Sequence, residues 1–299
     1  MAPYLDLVKA CQHPPRVLFD DHNCEYILQK RAAKTDWHKP ERWIGAIYSS
    51  LQWRKLKRYE SEVCRGADCV VSVSAEDALA INRIVPDVHP LVIPNGISYN
   101  EYANYYDGAD LHQPAFVFTG TMNFRPNVDG VLWFARQVWP AILEVLPSAH
   151  FYIVGRHPHN RLNILKDVPG IVITGGVPET RSYIYAAMVY VVPLLIGGGT
   201  RLKILESTAM SKAVVSTTLG AEGFVHPDKA MILADTPGDF AAACILLAQD
   251  AEERRKWGER ASIFARGYDW EALTPPLLAQ LDNPACVSTV RESSTTAQF

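Results

Sequence analysis

The sequence predicts an α/β fold built from parallel sheets in two parts. Two observations carry this expectation. Short β-branched or apolar runs alternate with amphipathic segments, the mark of parallel strands joined by crossover helices. A polar stretch from Asn95 to Gln113, with Asn-Gly-Ile-Ser, a Tyr/Asn/Asp-rich run and His112-Gln113-Pro114, divides a short first series from a fuller second one and reads as an interdomain linker.

In the first part, a strand over 16–19 leads into Asp20-Asp21-His22-Asn23, a long helix is expected over 42–64, and strands over 69–73 and 90–93. The second part offers strands at 116–119, 150–154, 171–174, 189–192, 214–217 and 231–233, with helices between them. The helix after Asn127 carries Val128, Val131, Leu132, Ala135, Val138 and Ile142 on one face, and Pro140 predicts a kink or break. Helices ending at 249 and spanning 251–265 follow, then an amphipathic helix over 270–281 and a loose Ser/Thr-rich tail over 287–299. The expected domains are 1–111 and 112–267, with a helix over 268–284 packing back toward the first domain and a flexible tail over 285–299.

Composition narrows the function. The 29 Lys and Arg against 32 Asp and Glu give a net charge of -3, which is no nucleic-acid footprint. Apolar residues make up 48% of the chain, enough for two packed cores. The longest uncharged apolar stretch, 183–196, is shorter than the ~20 residues that cross a bilayer and contains Pro193. The first residues lack a secretory pattern, so a cytoplasmic protein is expected. Six cysteines without a C-x-x-C pair suggest reduced thiols, neither a disulfide framework nor a zinc site. His157 and His159, flanking Pro158, suit a solvated loop better than a metal site, and no metal is expected.

Chemistry concentrates at two strand-to-helix turns. Ile196-Gly197-Gly198-Gly199-Thr200-Arg201-Leu202-Lys203-Ile204-Leu205-Glu206 offers free backbone N–H groups at a helix start, with Arg201 and Lys203 adding charge where a diphosphate would sit. Lys203 and Glu206, three apart, share a helical face, so the carboxylate can accept from ribose hydroxyls beyond the phosphates. A glycine-rich loop with a surface Lys-Glu pair is the plainer reading. The second turn, Gly120-Thr121-Met122-Asn123-Phe124-Arg125-Pro126-Asn127, meets the same sheet edge, where Arg125 can approach the same anion and Asn127 can cap the helix. Further strand ends, Gly155-Arg156 and Gly175-Gly176-Val177, suit backbone contacts to a base.

Taken in order, Gly-Thr-Met-Asn-Phe-Arg-Pro-Asn, Tyr-Ile-Val-Gly-Arg, Gly-Gly-Val-Pro-Glu and Gly-Gly-Gly-Thr-Arg-Leu-Lys-Ile-Leu-Glu resemble the donor-binding half of family 4 glycosyltransferases, in particular bacterial exopolysaccharide or cell-envelope sugar transferases. Ala221-Glu222-Gly223 and Tyr268-Asp269-Trp270 fit the same pattern. The resemblance implies a GT-B fold, two Rossmann-like domains facing a cleft. It also implies retaining transfer from a nucleotide-diphosphate sugar to a saccharide or lipid-linked acceptor, without a cofactor or obligatory metal. Arg201 and Lys203 would stabilise the leaving diphosphate with the N–H groups of Gly198, Gly199 and Thr200. Gly120, Thr121, Arg125, Asn127, Gly155, Arg156 and Val177 would line the donor site, and Glu206 matches the glutamate that holds the ribose. The first glutamate of the family's Glu-(seven residues)-Glu pattern is replaced by Gly198, and Thr121 and Pro126 stand near its usual Arg and Lys, for which Arg125 is the substitute. His22, in Asp20-Asp21-His22-Asn23-Cys24-Glu25-Tyr26, matches the segment that keeps a histidine near the reacting sugars; a turn residue is the alternative.

The resemblance further implies that the amino-terminal half is incomplete, since the chain starts inside what corresponds to a later portion. A fragment or misplaced start, a partner covering the open edge, or a reduced form with weakened catalysis would each account for this. Two other functions fit less well: a non-catalytic nucleotide-sugar-binding or interaction protein, and a GT-B sugar-nucleotide epimerase, for which no acid/base carboxylates are assigned. The region of Trp37, Trp43, Trp53, Arg54, Lys55, Lys57 and Arg58 suits either peripheral contact with an anionic membrane face or a solvated helix packed on its sheet.

Overall fold

A computed structural model describes residues 4–22, 24–27, 29–30, 43–196 and 200–282. The chain divides into two compact units, one of Met1–Pro94 with Thr274–Phe299, the other Asn95–Leu273.

The first unit holds a three-stranded parallel sheet in the order β1-β2-β3, with β1 Leu18–Asp21, β2 Cys69–Ser72 and β3 Leu91–Val92. Helix Trp43–Gly66 connects β1 to β2, as a parallel pairing requires of any crossover. Val70, Val71 and Ser72 are all buried, which is why β2 reads as a continuous apolar run and does not alternate. Ser74 caps helix Ala75–Ile84 by accepting from the Asp77 amide at 3.0 Å. Behind the sheet, Cys24, Tyr26, Cys64, Ile81 and Val85 form the core, and Trp53 packs against it with Lys30 and Arg54 near its ring. Trp53 therefore serves packing, while Lys55, Lys57 and Arg58 are exposed and Trp37 lies outside the described residues. Within this core the Glu60 carboxylate accepts from the Tyr26 amide at 3.1 Å, and burial pushes its pKa up to about 7.

The second unit is a six-stranded parallel sheet in the order β6-β5-β4-β7-β8-β9, comprising β4 Ala115–Thr119, β5 His150–Val154, β6 Ile171–Gly175, β7 Val189–Val192, β8 Val214–Ser216 and β9 Ile232–Leu233. Every residue of β4 and β7 is buried. An aromatic cluster of Phe116, Phe134, Trp139, Phe151 and Phe240 fastens the helices to one face of the sheet. Among the described residues, no helix is long and apolar enough to cross a membrane.

All nine predicted strands are present, with bounds shifted by at most two residues at either end. The break expected at Pro140 is present, and two other local readings are corrected. The helix after the second turn changes to a π-helical segment, Phe134–Val138, before resuming as Trp139–Val145. Pro140 lacks the N–H that would bond one turn back, so the break falls just before it. The helix expected over 270–281 is two helices, Trp270–Leu273 and Pro275–Asp282, because Pro275 and Pro276 cannot continue one and the residue before a proline avoids the α region. The stretch read as a linker is ordered packing: Ile97 bridges Asp269, and helix Tyr99–Ala103 buries Tyr99. The tail expected over 285–299 lies outside the described residues.

Candidate active site

Strand order reverses direction at β4 and β7, which lie side by side at the centre of the sheet. Ligands of open α/β sheets collect at such a point, beyond the carboxyl ends of the strands. The turns after β4 and β7 are the two glycine-rich segments singled out in the sequence.

The turn after β4 is zipped to its neighbours by backbone bonds. Gly120 N–H donates to the Val154 carbonyl at 2.9 Å, Met122 N–H to Arg156 at 2.8 Å, and His159 N–H to Met122 at 3.0 Å. Gly155 N–H reaches the Gly175 carbonyl at 3.1 Å, which ties in the strand end beside Val177. A Cβ at Gly120 would lie 2.7 Å from Asn127 Nδ2 and 2.8 Å from Lys203 Nζ, so only glycine lets both side chains close over this turn.

Asn127 and Lys203 meet there. Lys203 Nζ donates to Asn127 Oδ1 at 3.0 Å and sits 4.1 Å from the centre of the Phe118 ring, while Asn127 Nδ2 donates to the Thr121 carbonyl at 3.0 Å. Asn127 is thus no helix cap. It is the third residue of helix Arg125–Trp133, with Phe124 preceding the helix, and it is buried with its amide tying two turns together. Burial holds the Lys203 pKa down to about 7, Arg201 repels its charge further, and Glu206 opposes both. The Arg201 pKa is likewise lowered by burial, with Glu222 working against the shift. Among the described residues, Nε and Nη2 of Arg201 and Oγ1 of Thr200 are buried without a hydrogen-bond partner. Two crowded, under-compensated basic groups thus stand at the sheet's carboxyl edge, where an anion would relieve their mutual repulsion. Gly198 and Gly199, the predicted amide donors, lie outside the described residues.

Glu206 follows one turn along helix Leu202–Ala209, and burial raises its pKa while Lys203 and a hydrogen bond from Tyr102 pull it down. An open pocket of about 200 Å³ lies beside it, lined by Gly96, Ile97, Ser98, Glu101, Tyr102, Leu202 and Trp270.

The remaining predicted residues sit apart from this cluster. Arg125 is exposed and pairs with Asp129 at 3.3 Å, which also holds Arg161 at 2.7 Å, so its charge is shared at the helix start. Arg156 is exposed, its stem against Gly176, and Val177 is half-buried in the next loop. His22 belongs to the first unit, at the carboxyl end of β1, where its exposed ring contacts Asp20 at 3.1 Å. Among the described residues, no group of three His, Cys, Asp or Glu side chains could hold a metal ion.

Sequence reasoning missed Tyr102, Phe118 and Glu222 as site residues. Glu222 had a signal in the Ala-Glu-Gly triplet after β8, and Tyr102 stood in the run read as a linker. Phe118 carried no signal beyond a strand pattern.

Residues 113–250 match the family described as Glycosyl transferases group 1. An uncharacterized 44.6 kDa protein in the cps region of Klebsiella pneumoniae is 29% identical over 126 residues, covering 40% of this chain and 32% of that protein. Among solved structures, S. aureus TarM in complex with fondaparinux, α-GlcNAc-glycerol and UDP is similar with a TM-score of 0.61 at 14% identity, over 77% of this chain and 47% of that one. Sucrose-phosphate synthase from Thermosynechococcus elongatus gives 0.58 at 18%, over 76% and 61%, and Anabaena HepE in complex with UDP and glucose gives 0.54 at 13%, over 75% and 67%. The fold is that of GT-B glycosyltransferases, and the matched segment supports a glycosyltransferase. The chain spans about a third of the length of the curated relative and about half that of TarM.

Proposed function

We propose that this chain binds a nucleoside diphosphate sugar at the carboxyl edge of the six-stranded sheet. It transfers the sugar, with retained anomeric configuration, to a saccharide or lipid-linked acceptor in envelope or exopolysaccharide assembly. The observation that carries this reading is the pair of desolvated basic side chains, Lys203 closed over the Gly120 turn and the half-buried Arg201 two residues before it. When the bond from the anomeric carbon to the diphosphate breaks, negative charge grows on the leaving oxygen. Preorganised cations in a buried site stabilise that charge more than they stabilise the bound donor, which lowers the barrier. UDP is the favoured nucleotide, since TarM and HepE were solved with it, and the Klebsiella relative's cps region favours a polysaccharide product.

The test is incubation of the purified chain with UDP-, GDP- and ADP-sugars and candidate saccharide or lipid-diphosphate saccharide acceptors, with product configuration read by NMR. Transfer from one nucleotide class, with retained configuration and the same rate in EDTA, is the expected result. Inverted products, or a rate abolished by EDTA, would contradict the mechanism.

Proton linkage gives a further prediction. A diphosphate beside Lys203 restores the ordinary preference of an ammonium for its proton, so its pKa rises from about 7 on binding. Near pH 8 most free sites hold a neutral lysine and binding takes up close to one proton; near pH 6 the lysine is already charged and uptake is close to zero. Calorimetric enthalpies of UDP-sugar binding, whose esterified diphosphate has no ionisation near neutral pH, will therefore diverge between buffers of different ionisation enthalpy at pH 8 and converge at pH 6, and affinity will fall as pH rises above about 7.

A further inference from the structure

Glu206 is a buried carboxylate that opens onto a pocket, and Tyr102 stands against it. The Tyr102 hydroxyl donates to Glu206 Oε1 at 3.4 Å. Its own pKa is pushed up to about 12, by burial first and the Glu206 charge second, so it stays a donor at any working pH.

The segment presenting Tyr102 is clamped on both sides within the second unit. Upstream, Ile97 N–H donates to the Tyr268 carbonyl at 2.9 Å, and Trp270 N–H donates to the Ile97 carbonyl at 3.2 Å. Tyr99, one helical turn before Tyr102, shares a 2.6 Å hydrogen bond with Ser262 and accepts from Arg266 Nε at 3.2 Å. On the other flank Arg181, paired with Glu179 at 2.6 Å, lies 5.9 Å from the Tyr102 ring and 5.0 Å from that of Tyr105. Four hydrogen bonds and the Arg181 cation–π contact, holding a helix of only five residues and the chain just before it, whose second tyrosine then points at one carboxylate oxygen, go beyond what packing a connector needs.

We propose that Tyr102 is a positioning residue for Glu206, fixing one carboxylate oxygen so that the other faces the pocket to accept from a vicinal diol of the bound nucleotide's ribose. This rests on the nucleotide-sugar reading above. Charged and titratable groups around Glu206 are Lys203 on its own helix, Tyr102 from Tyr99–Ala103, Glu179 and Arg181 after β6, and Tyr190 from β7. Without the Tyr102 hydroxyl, one of the three influences that favour the ionised carboxylate, beside the charges of Lys203 and Arg181, is lost, and the group protonates at higher pH.

The experiment compares binding of UDP and of its 2′,3′-dideoxy analogue to the full chain and to Tyr102→Phe, Glu206→Gln and the double variant, across pH. Tyr102→Phe is expected to weaken UDP about tenfold, the scale of a lost hydrogen bond to a charged group, while changing the dideoxy analogue by less than about twofold. The acid limb of UDP affinity should move to higher pH in Tyr102→Phe, and adding Tyr102→Phe to Glu206→Gln should cost little more. Equal losses for both ligands, with or without a lowered melting temperature, would assign Tyr102 a merely structural role and overturn the inference; so would no loss for either. A wild-type chain that binds none of UDP, GDP or ADP would overturn the nucleotide-sugar reading itself and this inference with it.

Discussion

Replacing Lys203 by methionine lowers turnover by a factor on the order of 10²–10³, the loss seen when one preorganised charge stabiliser is removed from a buried site. The methionine keeps an apolar stem over Phe118 and removes only the ammonium that Asn127 accepts from at 3.0 Å. Folding should not suffer. In the ligand-free chain Lys203 is a burdened group: its folded pKa of about 7 lies well below the ordinary 10.5, so the unfolded chain binds its proton more tightly between those values. The Lys203 contribution to stability therefore rises with pH across that window, and removing the ammonium removes a destabilising charge at neutral pH. The expected outcome is a large fall in kcat with an unchanged or higher melting temperature. A fall in kcat that tracks a fall in melting temperature would make Lys203 a packing residue and sink its electrostatic role.

Gly155→Ala is expected to produce the largest structural effect. A Cβ on Gly155 would land on the Gly120 carbonyl oxygen, a backbone atom with nowhere to go, since the Gly120 amide is held to Val154. The backbone at Gly155, with φ of +153°, is also one that glycine adopts and alanine rarely does. Steric overlap and backbone strain each cost about 1–3 kcal/mol, so together about 2–6 kcal/mol are lost. In a unit of this size that lowers the melting temperature by roughly 5–20 °C. Because the same contact zips the turn after β4 to the turn after β5, nucleotide binding should fail below the melting transition too. Thermal melting followed by circular dichroism, paired with UDP titration, checks both parts; an alanine variant that melts within about 2 °C of wild type would show that the turns tolerate separation.

The strand series was legible because buried parallel strands are short apolar runs bounded by turn residues, and Phe116, Phe151, Val189 and Val214 stand in such runs. The broken final helix was legible in principle, since Pro275-Pro276 rules out a continuous one, yet the amphipathic pattern masked it. Helix Tyr99–Ala103 was not legible: a Tyr/Asn/Asp-rich run has loop composition, and its order comes from partners more than 150 residues away, Ser262 and Arg266. In the site, the glycines and the Arg201-Leu202-Lys203 run announced an anion because charge beside a strand-to-helix turn has few other uses. The pairing of Lys203 with Asn127 could not be read, for it depends on two turns from adjacent strands 76 residues apart. Asn127 looked like a cap because asparagine before an apolar helical face usually is one; here Pro126 at the second helical position lets the helix start three residues earlier, at Arg125.

The most direct test of the central claim is calorimetric titration of UDP, GDP and ADP into the purified chain, repeated with Arg201→Ala and Lys203→Ala and in the presence of EDTA. Selective binding of one nucleotide, lost in both variants and indifferent to EDTA, is the expected result. A folded chain that binds none of the three, or binds one with undiminished affinity in both variants, would contradict it.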